Sequence, residues 1–239
     1  KTWTTLGQYA NKIFCLVRTS KEKKQQEGIS FLLIGLDTPG VEMRPIRLID
    51  GGWEVNEVFF KDVKVPIRNL VGEEGKGWSI AKFLLNYERT GIAGVGFSIQ
   101  ALEEVKVLAK SIKRGSKRLI DDPLFSARLA KVEINLEALK ITNLRMLLRS
   151  KDQILPGAEA SMLKIVGTEI NKELRDLARR ALGPLAAPLP GYIGQGNILF
   201  GPENTSYNST KYFNNLKTSI FGGSNEIQRN ILAKTVLEL

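Results

Sequence analysis

Ser219-Ile-Phe-Gly-Gly-Ser-Asn-Glu-Ile-Gln-Arg-Asn-Ile231, near the end of the chain, joins a glycine turn to a polar helix start. Gly222 and Gly223 allow the backbone a positive φ or a close approach to a ligand. Ser224 and Asn225 are both residue types that cap helices. The residues after them predict an amphipathic helix from about Asn225. The first amides of such a helix point outward without intrahelical partners, so the turn suits an acceptor atom. An ordinary loop-to-helix junction has the same local chemistry, and the turn alone does not separate the two readings.

Upstream of this turn the sequence has a helical period. Ile80, Leu84, Tyr87, Gly91, Val95, Ile99, Leu102 and Val105 recur at threes and fours and predict one helix of about thirty residues from Lys76. Asp121-Asp-Pro123 is a helix start with Pro in the first turn. Leu129, Val132, Leu136, Leu139, Asn143 and Leu147 form a second stripe. Ala160, Leu163, Val166, Ile170, Leu174, Leu177 and Ala181 form a third. Long stripes joined by modest loops predict an antiparallel bundle, with Arg114 to Pro123 as a loop and Gly183 to Asn208 as a long ordered one.

The start of the chain has a different period. Trp3 to Thr5, Tyr9 to Arg18, Ile29 to Leu36, Val41 to Leu48 and Glu54 to Val65 are runs rich in β-branched and aromatic residues. Turn signals separate them, among them Asp37-Thr-Pro-Gly40 and Asp50-Gly-Gly52. The expected fold class is therefore α+β: an antiparallel β-barrel or sandwich over 1–75, then a helical bundle over 76–239. The chemistry is expected where these parts meet, among the loops.

Composition narrows the chemistry. The chain has no histidine, which removes Ser-His and Cys-His catalysis and most transition-metal sites, so no metal is expected. Proton transfer falls to Glu, Asp, Lys or Tyr. The single cysteine, Cys15, excludes an intramolecular disulfide and sits in the apolar run Ile13-Phe-Cys-Leu-Val17, where a buried structural thiol is expected. A net charge of +10 is compatible with nucleic acid, an anionic membrane or a polyphosphate ligand. Its densest clusters, Lys21-Glu-Lys-Lys24 and Lys113-Arg-Gly-Ser-Lys-Arg118, lack interleaved aromatics for base stacking, so nucleic acid is not expected. No stretch approaches the roughly 20 apolar residues of a membrane span. Lys1-Thr-Trp-Thr-Thr5 opens inside a strand pattern without Met or a signal peptide, and reads as the start of a fragment from the cytoplasm, or from an organelle matrix if the source is eukaryotic.

Lys1-Thr-Trp-Thr-Thr5, Asn56-Glu-Val-Phe-Phe-Lys-Asp-Val-Lys-Val-Pro66 with Gly72-Glu-Glu-Gly-Lys-Gly-Trp78, Asn86-Tyr-Glu-Arg89 and the terminal motif occur in an order that resembles the acyl-CoA dehydrogenase family from end to end. The overall flavour is similar to the bacterial large-subunit type, such as pimeloyl-CoA dehydrogenase. The resemblance implies a middle β domain and a C-terminal four-helix bundle, without the family's N-terminal helical domain. It implies FAD-dependent α,β-dehydrogenation of an acyl-CoA thioester, with electrons passed to an electron-transfer flavoprotein, in a homo- or hetero-oligomer.

It also implies residue roles. The Gly222 N–H would donate to the thioester oxygen as charge develops there. Many relatives carry their catalytic Glu at the position of Gly222. Others place it on the first bundle helix before an Arg, where this chain reads Tyr87-Glu88-Arg89. Glu88 thus matches the α-proton base, and partial burial would raise its pKa toward working pH. Asn86, Tyr87, Arg89 and Phe221 match substrate-contacting positions; Trp3, Thr5, Ser224 and Glu226 match FAD-contacting ones. As plain structure, the same residues read as a solvated helix carboxylate, a core Trp and helix caps. The family's Arg-x-x-Phe-Gly pyrophosphate motif is replaced by Ile112-Lys-Arg-Gly-Ser-Lys-Arg118, where Lys113 or Arg114 would supply charge, though Lys and Arg are not equivalent at a bidentate site. Leu182-Gly-Pro-Leu-Ala-Ala-Pro188 stands where the family has a glycine-rich FAD loop. A non-catalytic partner subunit and an acyl-CoA oxidase remain alternative expectations.

Overall fold

The computed structural model describes residues 1–150, 159–187 and 207–239, apart from the side chains of 86–90, 92, 149, 150 and 159. The chain packs as two units, Lys1–Leu85 and Asn86–Leu239.

The first unit holds β1 (Thr4–Thr5), β2 (Lys12–Arg18), β3 (Ile29–Gly35), β4 (Val41–Ile46), β5 (Val55–Phe60) and β6 (Leu70–Val71). Antiparallel pairing joins them into two separate three-stranded sheets, in the orders β1-β5-β4 and β2-β3-β6, and not into a closed barrel. The expected strands are shorter than their apolar runs. Gly7–Tyr9 forms a 3-10 turn ahead of β2, and β5 ends at Phe60, before Asp62 takes a left-handed φ of 52°. Cys15, Phe31, Ile34, Val55 and Val58 are buried. Burying each of the Phe, Ile and Val side chains contributes about 1.5–3 kcal/mol.

The passage Gly72 to Trp78 fastens the start of α1 (Gly77–Ile92) within this unit. Ser30 Oγ accepts from the Gly75 N–H at 2.8 Å and bonds Thr19 Oγ1 at 2.8 Å. A Cβ at Gly77 would stand 2.6 Å from the Phe31 nitrogen, so only glycine lets the helix start this close to β3.

The second unit is helical: α2 (Val95–Ser111), α3 (Pro123–Ser150), α4 (Glu159–Leu182), α5 (Asn208–Asn215) and α6 (Asn225–Val236). It is organised around α4, which contacts α2, α3, α5 and α6. Its core joins Ala101, Leu102, Val105 and Ala109 of α2, Leu129, Val132, Leu136 and Leu139 of α3, and Leu163, Ile170, Leu174 and Leu177 of α4. The second and third stripes therefore face inward as their spacing predicts, except that Leu147 is exposed. Asp122 caps α3 by accepting from the Phe125 N–H at 2.8 Å.

The expected thirty-residue helix is instead two helices, α1 and α2. Gly94 adopts φ 58° between them, which breaks the ladder and resets the helical phase. Ser98 and Ala101 consequently face inward while Ile99 is exposed. The expected loop after α2 contains a hairpin, β7 (Lys113–Arg114) with β8 (Lys117–Arg118), whose turn residue Gly115 has φ 66°. Asn208, expected in a loop, begins α5, and most of that loop lies outside the described residues. No helix among the described residues is long and apolar enough to cross a membrane.

Candidate active site

The terminal turn is built from both sides. Before it, the Lys217 carbonyl accepts from the Ile220 N–H at 2.8 Å and the Phe221 N–H at 3.0 Å. The chain then takes Gly222 at φ 66° and Gly223 at φ 81°. After it, α6 begins at Asn225 as its sequence predicts, with Ser224 Oγ accepting from the Ile227 N–H at 3.4 Å. Phe221, Gly222 and Gly223 are exposed. Among the described residues, neither the Gly222 nor the Gly223 N–H donates to a backbone carbonyl. On an exposed turn, backbone N–H groups of this kind can hold an acceptor atom or anion.

The inward face of α6 is polar, which its apolar spacing did not signal. Asn225 and Gln228 are buried while Ile227 is half exposed. Gln228 Nε2 donates to the Gly222 carbonyl at 2.9 Å. Asn225 does not cap α6; its Oδ1 accepts from Lys164 Nζ at 2.8 Å, and its Nδ2 donates to Thr168 Oγ1 at 3.3 Å. Burial pushes the Lys164 ammonium below its ordinary pKa, against the attraction of Glu226. Glu226 itself is exposed, and its own N–H and the Ser224 hydroxyl hold its carboxyl below the usual range. Ser224 and Glu226 therefore already serve the start of α6. The only available signal for Lys164, Asn225 and Gln228 was polar residues at helical spacing on the inward side of otherwise apolar segments.

In the first unit, Trp3 is 63% exposed and sits at φ 63°, unusual for a bulky residue. Thr5 is exposed at the end of β1. The strand is held by Asn56, which is fully buried and which the sequence did not single out. Its Nδ2 donates to the Thr4 carbonyl at 3.0 Å and to Gln8 Oε1 at 2.7 Å.

Lys113 and Arg114 lie on β7, exposed, and Arg114 donates to the Arg180 carbonyl at 3.2 Å, at the end of α4. Across the hairpin, Arg118 makes a two-point pair with Asp121 at 2.9 and 3.0 Å. Asn86, Tyr87, Glu88 and Arg89 lie on α1, but their side chains are outside the described residues. Leu182-Gly-Pro-Leu-Ala-Ala187 closes α4 with a 3-10 turn, and Pro188 is outside the described residues.

Residues 75–237 match the family model described as "Acyl-CoA dehydrogenase, C-terminal domain". The acyl-CoA dehydrogenase IpdE1 of Mycolicibacterium smegmatis is 36% identical over 239 residues, covering 100% of this chain and 56% of that protein. The crystal structure of the ChsE4-ChsE5 complex from Mycobacterium tuberculosis aligns with a TM-score of 0.79 at 30% identity, covering 99% of this chain and 59% of that one. An acyl-CoA dehydrogenase from Geobacillus kaustophilus aligns with a TM-score of 0.84 at 27% identity, covering 100% and 60%. The chain thus spans well under two thirds of the relatives it matches.

Proposed function

Because this chain belongs to the acyl-CoA dehydrogenase family, we propose that it forms part of a flavin enzyme that desaturates an acyl-CoA thioester between its α and β carbons. The observation that carries this reading is the exposed Gly222–Gly223 turn, held by the Lys217 carbonyl before it and by Gln228 on the Gly222 carbonyl after it. The α C–H of a thioester is a weak acid, so the carbonyl oxygen must be stabilised as charge develops on it. The Gly222 N–H does this as a backbone donor, which needs no side chain. Glu88 removes the α proton, and Asn86, Tyr87, Arg89 and Phe221 orient the acyl-CoA. Bound FAD supplies the acceptor for the β hydride, and an electron-transfer flavoprotein receives the electrons.

The residues present fit FAD in part. Trp3 offers an exposed aromatic face, and Thr5 is exposed on β1, whose Thr4 carbonyl is held by Asn56. In the second unit, the exposed glycine turn runs into Ser224 and Glu226 at the start of α6. Lys113 and Arg114 would meet the pyrophosphate, but Arg114 already donates to Arg180.

That commitment favours a second reading, in which the chain is one subunit of a hetero-oligomer and completes a neighbour's cofactor site. A relative solved as a two-component complex, ChsE4-ChsE5, gives it support. One experiment tests the first reading. FAD-loaded protein and its Glu88→Gln variant are mixed anaerobically with acyl-CoA while flavin absorbance is followed. Bleaching in the unaltered protein and its loss in the variant are expected. A colourless protein, or equal bleaching in both, overturns it.

A further inference from the structure

Gln228 is 1% exposed, six residues beyond the carbonyl it binds, and it carries a buried oxygen with no hydrogen-bond partner among the described residues. Its orientation is nonetheless fixed. Turning the amide over would bring Oε1 against the Gly222 carbonyl, two acceptors face to face.

The consequence falls on one peptide plane. Two successive glycines have no side chains to restrain them, and the peptide between them turns over easily. Gln228 holds it by its carbonyl. On the other side, the Phe221 N–H is held by the Lys217 carbonyl at 3.0 Å. The peptide that carries the Gly222 N–H therefore lies between two anchored peptides. The neighbouring Lys164–Asn225 bond, at 2.8 Å, fixes the first residue of α6 and so the helix on which Gln228 rides.

We propose that Gln228 is a positioning residue that aims the Gly222 N–H at the substrate carbonyl oxygen. It acts through the peptide plane and touches no reacting atom. This inference rests on the reading of Gly222 as the carbonyl donor. A misaimed donor of this kind costs roughly tenfold to a hundredfold in rate.

The test compares two probes on the FAD-loaded protein, octanoyl-CoA and its thioether S-octyl-CoA, which lacks only the carbonyl oxygen. Affinity for each is measured by calorimetric titration, beside kcat and KM for octanoyl-CoA. Gln228→Met keeps the volume and removes the donor. Gly223→Ala reaches the same end by a second route, because its Cβ would stand 2.6 Å from Gln228 Nε2. The expected result is that the unaltered protein prefers the thioester, and that a variant which folds loses that preference and loses kcat more than it raises KM, with thioether affinity unchanged. A folded variant that retains the preference, or that loses both ligands equally, overturns the role of Gln228. An unaltered protein that does not prefer the thioester overturns the reading of Gly222 itself.

Discussion

Lys164, fully buried on α4, donates from Nζ to Asn225 Oδ1 at 2.8 Å, across 61 residues of sequence. The bond ties the central helix of the second unit to the first residue of α6. It also places an ammonium at the positive end of a helix, where a cation is disfavoured.

The pH dependence follows from the direction of the shift. The Lys164 pKa is below its ordinary value of 10.5, so the folded state binds fewer protons than the unfolded one. The ammonium therefore opposes folding at low pH, and this opposition fades as pH rises through the folded pKa toward 10.5. Lys164→Met should remove this rise while costing about 1–3 kcal/mol by leaving Asn225 Oδ1 without its principal donor. Urea melts of both proteins from neutral to alkaline pH check it. Parallel stability curves would contradict the assignment.

Gly167 on α4 lies against the break between α1 and α2. A Cβ there would stand 2.3 Å from the Ala93 carbonyl oxygen, which is backbone and cannot step aside. Gly167→Ala should cost about 3 kcal/mol or prevent folding. Gly91→Ala, with nothing within 4 Å of the added Cβ, should be neutral or stabilise by up to about 1 kcal/mol. Thermal denaturation of the pair separates crowding from helix propensity.

Ser224 caps α6 at the Ile227 N–H. Ser224→Ala should lower stability by about 1 kcal/mol, and Ser224→Asp should restore most of it. Chemical denaturation measures both; an Ala variant of unchanged stability would mean that the hydroxyl does no capping.

Burial pushes the Cys15 thiol above its ordinary range. A thiol reagent should therefore modify Cys15 much faster in the urea-unfolded protein than in the native one. Equal rates in both would show that β2 opens freely.

Much of the fold was legible locally. The stripe of Ala160, Leu163, Ile170, Leu174 and Leu177 predicted α4, and Asp122 before Pro123 predicted the start of α3, because period and caps are written in neighbouring residues. The break at Gly94 was not legible. A glycine inside a helical period is often tolerated, and here its left-handed φ goes with the close approach of Ala93 to Gly167, distant in sequence.

The candidate site divides in the same way. The sequence by itself determined the glycine turn, a polar helix cap at Ser224 or Asn225 and the family, since those rest on contiguous motifs. Only the tertiary structure decided that Asn225 turns inward to Lys164, that Asn56 holds the Thr4 carbonyl of β1, and that Gln228 holds the Gly222 carbonyl. Each of these is a buried polar side chain finding its partner across the fold, and hydrophobic periodicity carries no information about where such a partner will be.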